Sequence, residues 1–185
     1  MKSTTQAKNK FIHFFRHSHQ EIHELSEQLQ QTLTRLQFEG KIYRGRNLKQ
    51  LMEVVEGLED KALTHMSFQE VVLFPFLETH VPKLESLLQL LRSEHREFES
   101  HLMKLKASVQ KWLKQRSESS HASLMQGIQE IGMCLIFFLR SHLSVEEKSI
   151  YTVMESSLKK DERSKLAELM KKGENKKIRW KLAVS

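Results

Sequence analysis

The chain has 185 residues, of which 39% are hydrophobic and 29% charged, so it can build one core and is not a wholly disordered polypeptide. Two prolines and six glycines are too few to punctuate an all-β fold or the crossovers of an α/β fold, and one cysteine excludes a disulfide framework or a Cys-based zinc finger. The formal charge of +7 sits almost entirely at the end: Lys159 to Ser185 hold ten Lys/Arg against four Asp/Glu.

Hydrophobic periodicity predicts four long helices in chain order. The first carries Phe11, Phe15, Ile22, Leu25, Leu29, Leu33 and Leu36, and Gly40 and Gly45 mark its end. The second carries Leu51, Val55, Leu58, Ala62, His65, Val72 and Phe76 and stops before Pro82; Pro75 inside it should bend it or free a carbonyl. The third runs from Leu84 through Leu88, Leu91, His95, Phe98 and Leu102 to Val109 and fades in the polar run Gln115 to Ser120. The fourth carries Leu124, Ile128, Ile131, Leu135, His142, Glu146 and Val153. A shorter helix follows from about Asp161 to Lys172, with Gly173 as its stop.

Short connections force neighbours to run antiparallel. The expected fold is therefore all-α, an up-down-up-down four-helix bundle over residues 1–158, with a short extra helix and basic tail over 159–185. The tail reads as a solvated terminus, because no recognition helix or aromatic interleaving suggests a specific nucleic-acid partner. The longest apolar run, Ile131 to Leu139, is about half the ~20 residues of a membrane span, so no membrane partner is expected. One cysteine fits a reducing, cytoplasmic setting, and Cys134, within that apolar run, reads as packing. Tyr43, Arg44 and Arg46 read as turn residues, and Gly127 and Gly132 as sites of close helix packing or a cost in stability.

The placement of the histidines carries the functional signal. A helical residue advances ~100°, so positions i and i+4 lie ~40° apart. His65, His95 and His142 fall within the apolar stripes of their helices, and His19 lies at the edge of the first, one turn before Ile22. His13 and His17 point away, His80 and His121 mark helix ends, and His101 lies off its stripe. Counted from a first turn near Tyr43, His19 is 24 residues before and His65 22 after. Counted from Pro82, His65 is 17 before and His95 13 after, while His95 and His142 are equidistant from a turn between Glu118 and Ser119. Four imidazoles thus reach one layer of the core.

Glu146 follows His142 by four residues, Glu99 follows His95 and Gln69 follows His65 in the same way, so each pair can face one ligand. Buried charge is costly unless paired or metal-bound, and one or two divalent cations are the simplest neutralising partner. An internal repeat favours a pair. Shifting the second helix by 77 positions superimposes His65 on His142, Gln69 on Glu146, Glu70 on Glu147 and Phe74 on Tyr151. Shifting the first by 76 superimposes His19 on His95 and Ile22 on Phe98.

At these residues the chain resembles the hemerythrin-like HHE cation-binding family. His65 to Glu78 is similar to its His-x-x-x-Glu-Glu-x-x-Leu-Phe-Pro signature, and His142 to Glu155 repeats it with Ile150-Tyr151-Thr152 in place of Leu-Phe-Pro. His19-x-x-Ile22 and Glu94-His95-x-x-Phe98 resemble the single-histidine motifs, and the likeness covers roughly residues 10–158. The resemblance implies a bundle around a non-haem di-iron centre, oxo- or hydroxo-bridged, whose members bind oxygen, respond to iron, oxygen or nitric oxide, or repair iron–sulfur centres. Its metal ligands here would be His19, His65, His95, His142 and Glu146, with Gln69 where the family has a bridging carboxylate. Glu70 at i+5 lies ~140° around the helix and does not substitute for it. Glu99 is the candidate replacement, one turn from His95; a single metal or a weakened second site are the alternatives.

The leading expectation is a di-iron protein that binds or senses a diatomic ligand, with manganese or zinc still open as the metal. Phe68, Phe98 and Leu139 would shield the centre. An enzyme acting on peroxide, nitric oxide or damaged iron–sulfur centres is the second reading, and a regulatory bundle with a partly decayed site the third. No nucleophilic triad or phosphate-binding loop names a catalytic residue, and no partner protein is indicated.

Overall fold

The computed structural model describes the backbone of residues 3–114 and 121–175, and the side chains of 15–114 and 121–172. Helix α1 (Ser3–Phe38) leads through a 3-10 turn (Lys41–Tyr43) to α2 (Arg44–Phe68). A π-helical turn, π1 (Gln69–Leu73), continues that rod into α3 (Phe74–His80). A second 3-10 turn (Pro82–Leu84) opens α4 (Glu85–Lys114). The fourth rod is α5 (His121–Val145), a second wide turn π2 (Glu146–Tyr151) and α6 (Thr152–Ser157); α7 (Lys160–Asn175) follows. There is no strand among the described residues.

Local chemistry sets the breaks. Gly40 is extended at φ −62°, ψ 168° and ends the first rod. Val81 leaves the helical region at φ −139°, ψ 67°, since the ring of the following Pro82 disfavours the α conformation there. The rods close into a ring in which α1 and α4 each pack on both α2 and α5, giving the expected up-down-up-down bundle.

The apolar interior falls into two blocks. One runs from Ile22 and Ala62 through Phe98 and Leu139 toward Leu36, Leu48 and Trp112. The other gathers Phe15, Phe68, Phe74, Leu91 and Tyr151 at the opposite end, where Leu166 and Met170 of α7 cap it. The short helix placed with the tail is thus packed on the bundle, against α1 and π1. Between the blocks lies the histidine layer: Phe15 and Ile22 flank His19 on different blocks, and Leu91 and Phe98 flank His95.

Several expectations are corrected. Each rod with a wide turn moves one inward position: Leu73 and Met154 are buried, while Val72 and Val153 are half-buried; Phe76 keeps its expected inward place. An i→i+5 turn inserts a residue and shifts the register locally. Pro75 explains one such turn, since its ring would meet the carbonyl of Val71 in a regular helix. Thr152 stands in the equivalent place of the fourth rod, so the feature common to both turns is the ligand-position residue that begins them. Arg44 and Arg46 belong to α2 rather than to a loop, Arg46 pairing with Glu39 at 3.0 Å. Helix α7 passes through Gly173 to Asn175.

Cys134 is exposed, because an apolar run longer than two turns must turn part of itself outward. The rod His121–Ser157 is also long and apolar enough to cross a membrane, with a window hydropathy of 1.5, since a window average passes over isolated polar residues that end a strict run. The same rod supplies Leu135, Leu139, His142 and Glu146 to the buried interior. Phe11 and His13, the run 115–120 and the tail beyond residue 175 lie outside the described residues or side chains.

A Cβ on Gly132 would sit 2.5 Å from Leu33 Cδ1, whereas one on Gly127 meets nothing within 4 Å. Gly127→Ala should therefore raise unfolding stability by ~0.5–1 kcal/mol, the usual helix-interior gain. Gly132→Ala should fall short of that gain, because Leu33 is buried in a packed core. Urea denaturation of the two variants checks this; equal gains would deny the close approach of α1 and α5.

Candidate metal centre

The four rods bring His19, His65, His95 and His142 to one level, each at most 4% exposed. They form two pairs across the bundle, with ring centroids 4.8 Å apart for His19 and His65 and 4.9 Å for His95 and His142. Glu146 stands between the pairs, wholly buried. Its Oε2 lies 3.0 Å from His19 Nε2 and 3.3 Å from His65 Nε2, and its Oε1 lies 2.8 Å from His142 Nε2. The result is two potential ligand triads, His19–His65–Glu146 and His95–His142–Glu146, joined by one carboxylate.

The outward-facing nitrogens are all held. His19 Nδ1 lies 2.9 Å from Glu147, His95 Nδ1 2.7 Å from Glu70, His142 Nδ1 2.6 Å from Glu94 and His65 Nδ1 3.0 Å from Ser18 Oγ. An Nδ1–H donated outward leaves the Nε2 lone pair facing the interior, which is the tautomer a metal needs. The partners obey the internal repeat: Glu70 and Glu147 correspond under the 77-residue shift, Ser18 and Glu94 under the 76-residue shift.

Whether these residues suit a cation can be judged from atoms without partners. Nε2 of His95 and Oε1 of Gln69 are buried and make no hydrogen bond, and Nε2 of His142 and Oε1 of Glu146 have only their 2.8 Å ion pair with each other. Leaving several such groups unsatisfied costs roughly 1–3 kcal/mol each. Imidazole nitrogens and a carboxylate converging in this way form the donor set of a transition-metal site. The residues fit a metal.

Charge supports the same conclusion. Burial lowers the proton affinity of His65, and also of His95, keeping both neutral and ready to ligate. Burial acts against the charge on His142 as well, but the carboxylates of Glu146 and Glu94 overcome it and raise its pKa to about 9. Burial likewise opposes ionisation of Glu146, yet His142 first, then His19 and His65, hold its carboxyl well below the usual range. Glu146 is thus an anion at the centre of the layer, and Glu70, Glu94 and Glu147 place three more acids around it.

Gln69 is wholly buried, and its Nε2 donates to Glu146 Oε2 at 2.7 Å. Glu99 is not in either triad. It is half-buried, and burial followed by the nearby charge of Glu70 raises its pKa. The carboxylate that reaches His95 is Glu70, at the outer nitrogen; as the 100° period implied, Glu70 is in neither triad and does not replace the bridging group. Sequence reasoning assigned no role to Ser18, Glu70, Glu94, Glu147 or Tyr151. Their signal was the repeat itself, since the partners of the ligands recur at the same offsets as the ligands.

Tyr151 places its hydroxyl 2.7 Å from His19 Nε2. Burial, then Glu146 and Glu147, keep its phenol proton on well beyond the ordinary range. Tyr151 and His19 also line an open polar cleft of ≈ 470 Å³, with Arg16, His23 and Glu155 among its walls.

The family model described as Hemerythrin HHE cation binding domain matches residues 10–131. That span includes His19, His65 and His95 and stops short of His142 and Glu146, whose inclusion in the centre rests on the geometry above. No curated protein matches the chain.

In the metal-free protein the raised pKa of His142 stabilises the fold fully below its unfolded value of 6.5, and that contribution is lost as pH rises through about 9. Metal-stripped protein should therefore lose roughly 3 kcal/mol of unfolding free energy between about pH 6.5 and 9.5. Glu146→Gln, which removes the main partner, should flatten most of that decline in urea titrations. Glu94→Ala and Glu70→Ala should each weaken metal binding roughly 10- to 100-fold by releasing a ligand's outer nitrogen, as read by metal titration.

Proposed function

The chain belongs to the hemerythrin HHE cation-binding domain family, and we propose that it holds two iron ions, one on each side of Glu146, and reversibly binds a diatomic ligand, oxygen or nitric oxide, at them. The observation that carries this reading is the sharing of one buried carboxylate by two histidine pairs. A single-metal site would leave one pair of inward nitrogens without a purpose. Nitrogen and carboxylate donors suit iron, and bound iron would supply a redox-active centre with open coordination positions.

Each part of the surrounding chain has a task in this reading. The four histidines hold the ions, and the outer acids fix the ring orientations and raise the basicity of the ligands. With Glu146, the acids Glu70, Glu94 and Glu147 present four negative charges, which match two divalent cations although Gln69 contributes none. The outer layer thus offsets part of the charge deficit expected from Gln69. Phe15, Phe68, Phe98 and Leu139 are buried around the layer and exclude water, which protects a ferrous ion from uncontrolled oxidation.

A second reading, turnover of peroxide or nitric oxide, draws support from the polar cleft ending on His19 and Tyr151, which offers small polar molecules a way to the edge of the centre. Reversible spectral change with oxygen or nitric oxide supports binding or sensing. Multiple turnovers with peroxide would favour the enzyme.

Purified protein should contain about two irons per chain and, when air-oxidised, absorb in the near-ultraviolet; His142→Ala or Glu146→Ala should remove most of the metal. Folded, equally stable protein that stays metal-free in iron-rich medium would instead mark a decayed site. Gln69→Glu should act with opposite signs in the two states. It replaces a hydrogen bond to Glu146 with carboxylate repulsion, so the metal-free melting temperature should fall, while the second metal should bind more tightly. Loss of affinity on this substitution would overturn the charge argument.

A further inference from the structure

The two halves of the centre are made from repeated parts, and Tyr151 departs from the repeat by one atom. Its counterpart Phe74 stacks on His95, with centroids 5.6 Å apart and planes at 17°. Tyr151 lies against His19 at a steeper tilt, with centroids 5.3 Å apart and planes at 36°. The added oxygen points into the layer, 2.7 Å from the nitrogen of His19 that faces Glu146.

These atoms are in hydrogen-bond contact, and the same separations suit ligands on one ion. Donors bonded at ~2.1 Å and at right angles lie ~3 Å apart. Here Tyr151 Oη to His19 Nε2 is 2.7 Å, His19 Nε2 to Glu146 Oε2 is 3.0 Å, and His65 Nε2 to the same oxygen is 3.3 Å. Without metal, the hydroxyl is hydrogen-bonded to His19 Nε2. A cation bound at that nitrogen leaves the hydroxyl, on a residue only 5% exposed, without this partner. An unsatisfied buried hydroxyl is costly, and the nearest remedy is a bond to the same ion. Two nitrogens and one carboxylate oxygen are also a sparse set for iron.

We propose that Tyr151 is itself a ligand, its Oη bonded to the metal held by His19, His65 and Glu146, so that the two halves of the centre are chemically unequal. The inference rests on the di-iron reading. On ligation the O–H bond breaks, the phenolate oxygen bonds the ion and the proton leaves to water through the cleft that Tyr151 lines. The cation stabilises the phenolate against the neighbouring acids, as metal ions do for coordinated thiols and water. Phe74 can make no such bond, so the His95–His142 half keeps that position free.

The experiment uses the full chain loaded with iron and oxidised in air. Wild type should show a visible phenolate-to-ferric charge-transfer band, with tyrosine ring modes enhanced in resonance Raman spectra. Tyr151→Phe should lose the band and those modes while keeping two irons per chain and the near-ultraviolet absorption. Iron-loaded wild type without the band, or Tyr151→Phe that retains it, overturns the assignment of Tyr151 and leaves the di-iron reading standing. A chain that takes up no iron overturns both. As a check independent of iron's colour, gallium addition at neutral pH should produce a tyrosinate difference spectrum in wild type and none in Tyr151→Phe.

Discussion

A carboxylate sealed in the middle of a helical bundle is the constraint around which this protein is arranged. Glu146 has no exposure to solvent, and both of its oxygens face imidazole nitrogens. An isolated anion in that position would cost many kcal/mol. Four imidazoles, an amide and the outer acids are its environment, and each is delivered by a helix whose apolar residues lie above and below the layer. The long rods are therefore a means of bringing distant polar groups to one height while burying enough hydrocarbon on either side to hold them there.

Much of this arrangement was legible from spacing alone. The histidines occupy positions that leucines would otherwise fill, and distances from the turns put all four at a common level. The bundle, its order and the place of His142 with Glu146 followed from the same arithmetic. What escaped were consequences of the two wide turns. A fixed 100° period cannot anticipate an inserted residue, so Val72 and Val153 were given the inward positions that Leu73 and Met154 occupy. Glu99 was chosen by the same fixed rule. The period put it beneath His95, but the acid from the neighbouring rod has the contact. Hydrogen bonds between rods, such as Ser18 with His65, leave no mark in the period of either helix.

The repeat gives the centre an approximate twofold symmetry, and its exceptions are concentrated at the polar layer. Gln69 answers Glu146, Ser18 answers Glu94 and Phe74 answers Tyr151. Two of these exchanges remove a charge from one member of the pair, and the third adds an oxygen to one half. Equal scaffolds thereby surround unequal chemistry, with the His95–His142 pair backed by two acids and the His19–His65 pair by one acid and one hydroxyl.

The division of the interior into two greasy blocks has a mechanical consequence. Helices that pass through a polar seam are bound to one another there by whatever occupies it, as planks are by a bolt. Cations in the seam would tie all four rods together and make both ends melt as one body. Stripped of them, the end capped by α7 would loosen separately from the rest, so that metal occupancy would be written into the rigidity of the whole molecule.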